Sequence, residues 1–166
     1  MIFSSSATHA LRAMASLAGG DPSELVLGRD LARRVGLPSH YLSKVLATLA
    51  RSGLLTASRG AKGGYRLARR PDRIKLIDVV LPFEGQRARP GCLLRPDKPC
   101  RDSGACSAHS AWGSMKRTYT TFLEQTTVAD IQGGAPDPLA GASRRVRHPA
   151  AAARRGRSTS RRGRAS

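Results

Sequence analysis

The chain has 166 residues, with 29 Lys and Arg against 11 Asp and Glu, a formal net charge of +18 at pH 7. That length holds one domain of about 100 to 150 residues plus an accessory segment, and such a charge favours phosphate-rich partners. No stretch approaches the roughly 20 apolar residues of a membrane span, and MIFSSSATHALRAMASLAGG at the N-terminus lacks the basic and apolar regions of a secretory signal. No membrane partner and a cytoplasmic location are therefore expected.

Half of the net charge belongs to the last stretch, where residues 144–164 hold nine arginines and no acidic residue. Almost nothing there is apolar beyond alanine and one valine, so burial cannot offset the entropy of ordering. Residues 133–166 read as a disordered Arg-rich tail that adds nonspecific affinity for DNA but no sequence preference.

Residues 5–18 carry Leu11, Met14, Ala15 and Ala18 at helical spacing, and Gly19-Gly20 ends the pattern. A second helix is expected over GRDLARRV, with Gly28 as N-cap, Asp30 complementing the helix dipole and Gly36 as the stop. Ser39 is the expected N-cap of a third helix, in which Leu42, Val45, Leu46 and Leu49 form one buried face, ending at Gly53. Two short helices around a Gly-Leu-Pro turn have the shape of a helix-turn-helix.

Leu54-Leu55 and the apolar run at 65–67 then flank a turn with Gly60, Gly63 and Gly64, which predicts a basic β-hairpin, or wing. Residues 74–80 suggest a fourth helix that Pro82 should stop or kink. A cysteine-bearing loop follows over 85–106. Beyond it Trp112, Met115, Tyr119 and Phe122 recur at spacings of three and four, a heptad-like seam that points to a dimerisation helix within 107–132. The fold expected is mainly α with a small β-hairpin, a winged helix-turn-helix domain over 1–84 joined to a long C-terminal dimerisation helix.

Off the buried face of the third helix stand Ser39, His40, Tyr41, Ser43, Lys44, Thr48 and Arg51, available to a major groove and its phosphates. The wing offers Arg59 and Lys62, with Gly63 and Gly64 expected to let the backbone approach a duplex closely. An isolated helix of this kind would read as an ordinary amphipathic surface helix with a solvated polar side. Two helices around such a turn, followed by a basic Gly-rich hairpin, point instead to double-stranded DNA as the partner.

All three cysteines lie in the loop: Cys92, Cys100 after seven intervening residues, and Cys106 after five more, with His109 two residues beyond. Three thiolates and an imidazole within 18 residues favour a metal-binding centre over structural disulfides. An iron–sulfur cluster, two-iron or four-iron, is the preferred reading. Zinc takes the same donors, but its structural motifs usually pair cysteines more closely. A metal-free thiol switch activated by Lys98 and Arg101 is the other alternative. No Ser-His-Asp set, phosphate loop or paired carboxylates mark an enzyme, and a small metalloprotein electron carrier has little in its favour.

ALRAMASLA, then LARRVGLPSHYLSKVLATLARSGLLTASRGAKGGYRLAR, IDVVLPFEG, the three cysteines with His109 and Trp112, and LEQTTVADI follow in order over about residues 1–132. This resembles the Rrf-type winged-helix regulators, the group that includes IscR-like and NsrR-like proteins. The resemblance implies a homodimeric transcription factor, usually a repressor, that binds a pseudo-palindromic operator and senses nitric oxide, redox or iron–sulfur status through a cluster. It also implies Cys92, Cys100 and Cys106 as cluster ligands, with His109 matching the histidine ligand of IscR-like members. Some NsrR-like members use an acidic residue in helix one of the partner subunit. Thr8 stands at that position here, beside His9 where the family commonly has tyrosine, so His109 is favoured. The first cysteine gap is longer than in IscR-like members, Pro82 falls in a helix the family continues, and the tail has no family counterpart.

Overall fold

A computed structural model describes residues 3–60, 63–95, 98–99 and 105–132, and of Gln86 the backbone alone. All of these belong to one compact unit, Met1–Ala135. The tail over 133–166, Lys62 and Cys100 lie outside the described residues.

Helix α1 spans Ser5–Ala18, capped by the Ser4 hydroxyl, which accepts from the Ala7 amide. Its buried face is largely alanine, with Ala7, Ala10, Ala13 and Met14 fully enclosed. Small side chains there let α1 sit close against α2 (Gly28–Val35), α3 (Ser39–Arg51) and α4 (Leu76–Glu84). Leu31 and Val35 of α2, Leu42, Leu46 and Leu49 of α3, and Ile74, Val79 and Val80 in and before α4 complete the core.

Both expected N-caps shift by one residue. Leu27, extended at φ −60° and ψ 137°, caps α2, and Gly28 is its first helical residue. Pro38 takes the corresponding place before α3, its carbonyl accepting from the amides of Tyr41 and Leu42 at 3.1 and 3.0 Å, so Ser39 opens the helix with its side chain exposed. Gly36 ends α2 as expected, with φ +66°, a left-handed conformation that suits glycine.

Strands β1 (Leu55–Ser58) and β2 (Gly64–Leu67) pair antiparallel, Leu55 opposite Leu67 and Ser58 opposite Gly64. Val26 exchanges both backbone hydrogen bonds with Tyr65, at 3.0 and 2.9 Å, and so fastens the hairpin to the segment before α2.

Pro82 does not stop α4. The helix continues to Glu84, and the Gly85 amide still bonds the Leu81 carbonyl. Proline removes one donor near the end of a helix whose Val79 and Val80 are fully buried, and that packing outweighs the missing bond. A 3-10 turn, Gly85–Ala88, leads into the cysteine loop. Helix α5 spans His109–Gln125. Its C-terminal end is tied to the domain by the buried Leu123 and Val128 and by backbone bonds from Leu76 to Thr126 and from Val128 to Ile74.

Candidate nucleic-acid interface

The outer side of α3 is polar. Ser39, His40, Ser43, Lys44 and Arg51 are exposed and Thr48 is half-buried. Some of these groups are engaged along the helix itself: the Ser43 hydroxyl donates to the Ser39 carbonyl at 2.8 Å, and Arg51 donates to the Thr48 hydroxyl at 3.1 Å. No side chain caps the start of α3. The first-turn amides, with Ser39, His40 and Lys44 around them, therefore form an uncapped positive helix end suited to phosphate and base edges.

Tyr41 corrects the sequence expectation. It is turned inward onto α1, its hydroxyl 3.1 Å from Ser6 Oγ and 3.3 Å from His9 Nδ1, its ring edge-on to the His9 imidazole. One position in a helix cannot face both α1 and a groove, and the aromatic ring takes the half-buried side.

Gly63 and Gly64 also differ from expectation, because both are buried within the protein. A Cβ on Gly63 would collide with the Ser58 carbonyl, and one on Gly64 would lie 2.6 Å from the Val26 carbonyl. Their missing side chains allow the hairpin to close and to dock on residue 26, not to meet a duplex. Arg59 is exposed before the hairpin turn, and Arg66 and Arg69, on and just after β2, add two exposed cations that the sequence reading left out.

In the cysteine loop, the Cys92 amide donates to the Lys98 carbonyl at 2.8 Å, and the His109 amide donates to the Cys106 carbonyl at 2.9 Å. Cys92, Cys106 and His109 are half-buried. The Trp112 indole donates to the Gly91 carbonyl at 2.9 Å and so brings the loop next to Cys92 onto α5, one turn beyond His109. Two thiols and an imidazole suit an iron–sulfur or zinc centre in donor chemistry, although among the described residues no three such groups converge on one metal position. His109 opens onto a cleft of about 530 Å³ with Arg89, Lys116 and Arg117 on its walls.

The family model for Rrf2, described as an iron-dependent transcriptional regulator, matches residues 3–133. The chain belongs to the Rrf2 family. An HTH-type transcriptional regulator of Mycobacterium tuberculosis is 35% identical over 136 residues, 81% of this chain and 83% of that protein. Among solved structures, IscR of T. potens is 30% identical with a TM-score of 0.61, covering 77% of this chain and 83% of that one. CymR, the global cysteine regulator of B. subtilis, is 26% identical with a TM-score of 0.66, covering 78% and 94%. The winged-helix fold and the role of transcriptional regulator, not enzyme, follow for this Rrf2 chain. Among the described residues no helix is long and apolar enough to cross a membrane.

Three features of this Rrf2 chain were not found from sequence. They are the pairing of His9 and Ser6 with Tyr41, the bond from Arg12 to the Val35 carbonyl at 2.6 Å, and the anchoring of Gly91 by Trp112. The spacing of Ser6, His9 and Arg12 along α1 was the available signal for the first two. Trp112 carried a signal too, since a buried indole N–H needs an acceptor, but its place in the heptad-like pattern concealed it.

Proposed function

We propose that this chain is a cytoplasmic, homodimeric repressor that binds a pseudo-palindromic operator through α3 and the wing, and whose affinity is set by an iron–sulfur cluster held by Cys92, Cys100, Cys106 and His109. The observation that carries this reading is the Trp112 bond to Gly91, which brings the cysteine loop onto the start of α5 beside His109. A cluster, when bound, supplies a centre sensitive to oxidation and to loss of its ligands. Sequence-specific contact is assigned to Ser39, His40, Ser43, Lys44, Thr48 and Arg51, with Arg59 and Lys62 on phosphates.

Dimerisation is assigned to α5. Met115 and Phe122 are 51% and 49% exposed, apolar area that a partner helix would cover. Two recognition helices must then sit about 34 to 36 Å apart to engage successive major grooves. The loop lies between the winged domain and α5 in the chain, so a change in its fold alters that spacing and with it the affinity.

A second reading, a metal-free thiol sensor, is favoured by the likeness to the B. subtilis global cysteine regulator. Anaerobic purification followed by iron and acid-labile sulfide assays and a visible spectrum separates the two. A coloured protein with matched iron and sulfide, whose affinity for a selected duplex changes on cluster loss, is expected. A colourless protein whose affinity follows thiol oxidation establishes the second reading, and stoichiometric zinc overturns both.

A further inference from the structure

Ser6, His9 and Arg12 stand three residues apart along α1, and each reaches the helix-turn-helix. Ser6 and His9 hold the Tyr41 hydroxyl, with the His9 and Tyr41 rings 5.4 Å apart at 88°. Arg12 donates to the carbonyl of Val35, the last residue of α2, and so sets a guanidinium against the negative end of that helix dipole. Its Nε is buried without a hydrogen-bond partner.

Val35 and Tyr41 lie on the two sides of the turn that joins α2 to α3. Beside these bonds, Ala7, Ala10 and Met14 of α1 share one aliphatic core with Leu31 of α2 and Leu42 and Leu46 of α3. Aliphatic surfaces attract without direction, so they tolerate sliding and rotation. Hydrogen bonds carry direction, and these span the turn. α1 is itself anchored at its start, where the Ser4 amide donates to the Glu84 carboxylate at 2.6 Å and Phe3 meets the Tyr119 ring.

We propose that the polar edge of α1 formed by Ser6, His9 and Arg12 sets the angle at which α3 meets DNA, with Tyr41 a positioning residue that does not itself read bases. The inference rests on the reading of α3 as the recognition helix. It assigns to the His9–Tyr41 pair a role in sequence selectivity, because a misaimed helix loses base contacts that need close geometry, whereas phosphate attraction tolerates misalignment.

The test uses the full-length chain, a duplex that this chain selects from a randomised pool, and a random duplex of equal length, each titrated over a range of salt. Tyr41→Phe keeps the ring and removes both hydroxyl bonds. It should weaken binding to the selected duplex about fivefold and leave the random duplex and the salt slope unchanged. Ser6→Ala combined with His9→Leu should reproduce that loss, adding Tyr41→Phe to the pair should cost nothing further, and His9→Gln should restore part of the affinity. An unchanged Tyr41→Phe overturns the proposal. So does an equal loss on both duplexes with the salt slope falling by about 0.9, the mark of a phosphate contact.

Thermal melts accompany each variant, and should Tyr41→Phe fail to fold, Ser6→Ala alone carries the test, with about a twofold loss on the selected duplex expected and no change overturning the proposal. His40→Ala with Lys44→Ala separates the two levels. If that variant binds the selected duplex normally, α3 is not the recognition helix and the inference falls with that reading. If it loses binding while Tyr41→Phe does not, the inference alone fails.

Discussion

The Trp112 indole Nε1 donates to the Gly91 carbonyl at 2.9 Å, so the residue before Cys92 is tied to the helix that begins at His109. Groups that orient a metal ligand without touching the metal typically govern affinity about 10- to 100-fold. Trp112→Phe keeps an aromatic ring and deletes the donor. Iron and sulfide retained per chain after anaerobic purification should fall by about tenfold relative to wild type, with the helical circular-dichroism signal preserved. Full cofactor content in this variant would show that the tether has no part in the site.

Gly64 is held against the Val26 backbone, and a Cβ there would lie 2.6 Å from a carbonyl oxygen that cannot swing away as a side-chain end can. Gly64→Ala should therefore destabilise the domain by about 1 to 3 kcal/mol, the usual range for overpacking a closed site. Gly60→Ala meets nothing within 4 Å, although its φ of +104° makes it strained as well. Denaturant melts of the two variants separate collision from strain, and a larger loss is expected for Gly64→Ala.

The helices were legible because their signals are local. Leu42, Val45, Leu46 and Leu49 declare one buried face by spacing alone, and all four are buried. The caps misled because Gly28 and Ser39 are favourable cap residues, whereas the extended backbone of Leu27 and Pro38 decides the boundary. The missing donor of Pro82 argues for a stop or kink, but burial of Val79 and Val80 keeps the helix going to Glu84. Gly63 closes its own hairpin against the nearby Ser58 carbonyl, whereas Tyr41 and Gly64 were misread for a shared reason. Their neighbours, Ser6, His9 and Val26, are distant in sequence, so a polar or small residue that serves an internal contact looks the same as one that serves a duplex. Within the candidate site, the proposed ligands Cys92, Cys100, Cys106 and His109 stand out by residue type and spacing, but the means of bringing the residue before Cys92 to α5 depends on one indole N–H that spacing does not reveal.

His9 titrates below the ordinary imidazole value of 6.5, first because burial disfavours its charged form and second because the Arg12 guanidinium repels it. With the folded value below the unfolded one, the unfolded chain binds the proton more readily as pH falls. Stability contributed by neutral His9 is thus fully present above 6.5 and is lost as pH drops through the depressed folded value. NMR titration of the His9 ring should give a midpoint below 6.5. Arg12→Met should raise that midpoint without returning it fully, since the burial remains. A midpoint at the ordinary value in the native chain would contradict the packing of His9 against Tyr41.

The heptad-like run on α5 divides in the structure. Trp112 is bonded to Gly91 and Tyr119 packs near Phe3 with ring centroids 6.1 Å apart, so these two serve their own domain. Met115 and Phe122 remain outside, half-exposed, seven residues apart on one helical face. Only that outer pair is available to a second copy. Met115→Glu with Phe122→Glu should shift the protein from dimer to monomer in sedimentation velocity at micromolar concentration, because a carboxylate in an apolar seam is costly to desolvate. The domain core should survive, since neither side chain is part of it, and the thermal midpoint should change little beyond the loss of dimer linkage. Operator affinity should fall much more steeply than affinity for random DNA, because only a dimer spans two half-sites. A variant that remains dimeric would assign the interface to another face of the chain.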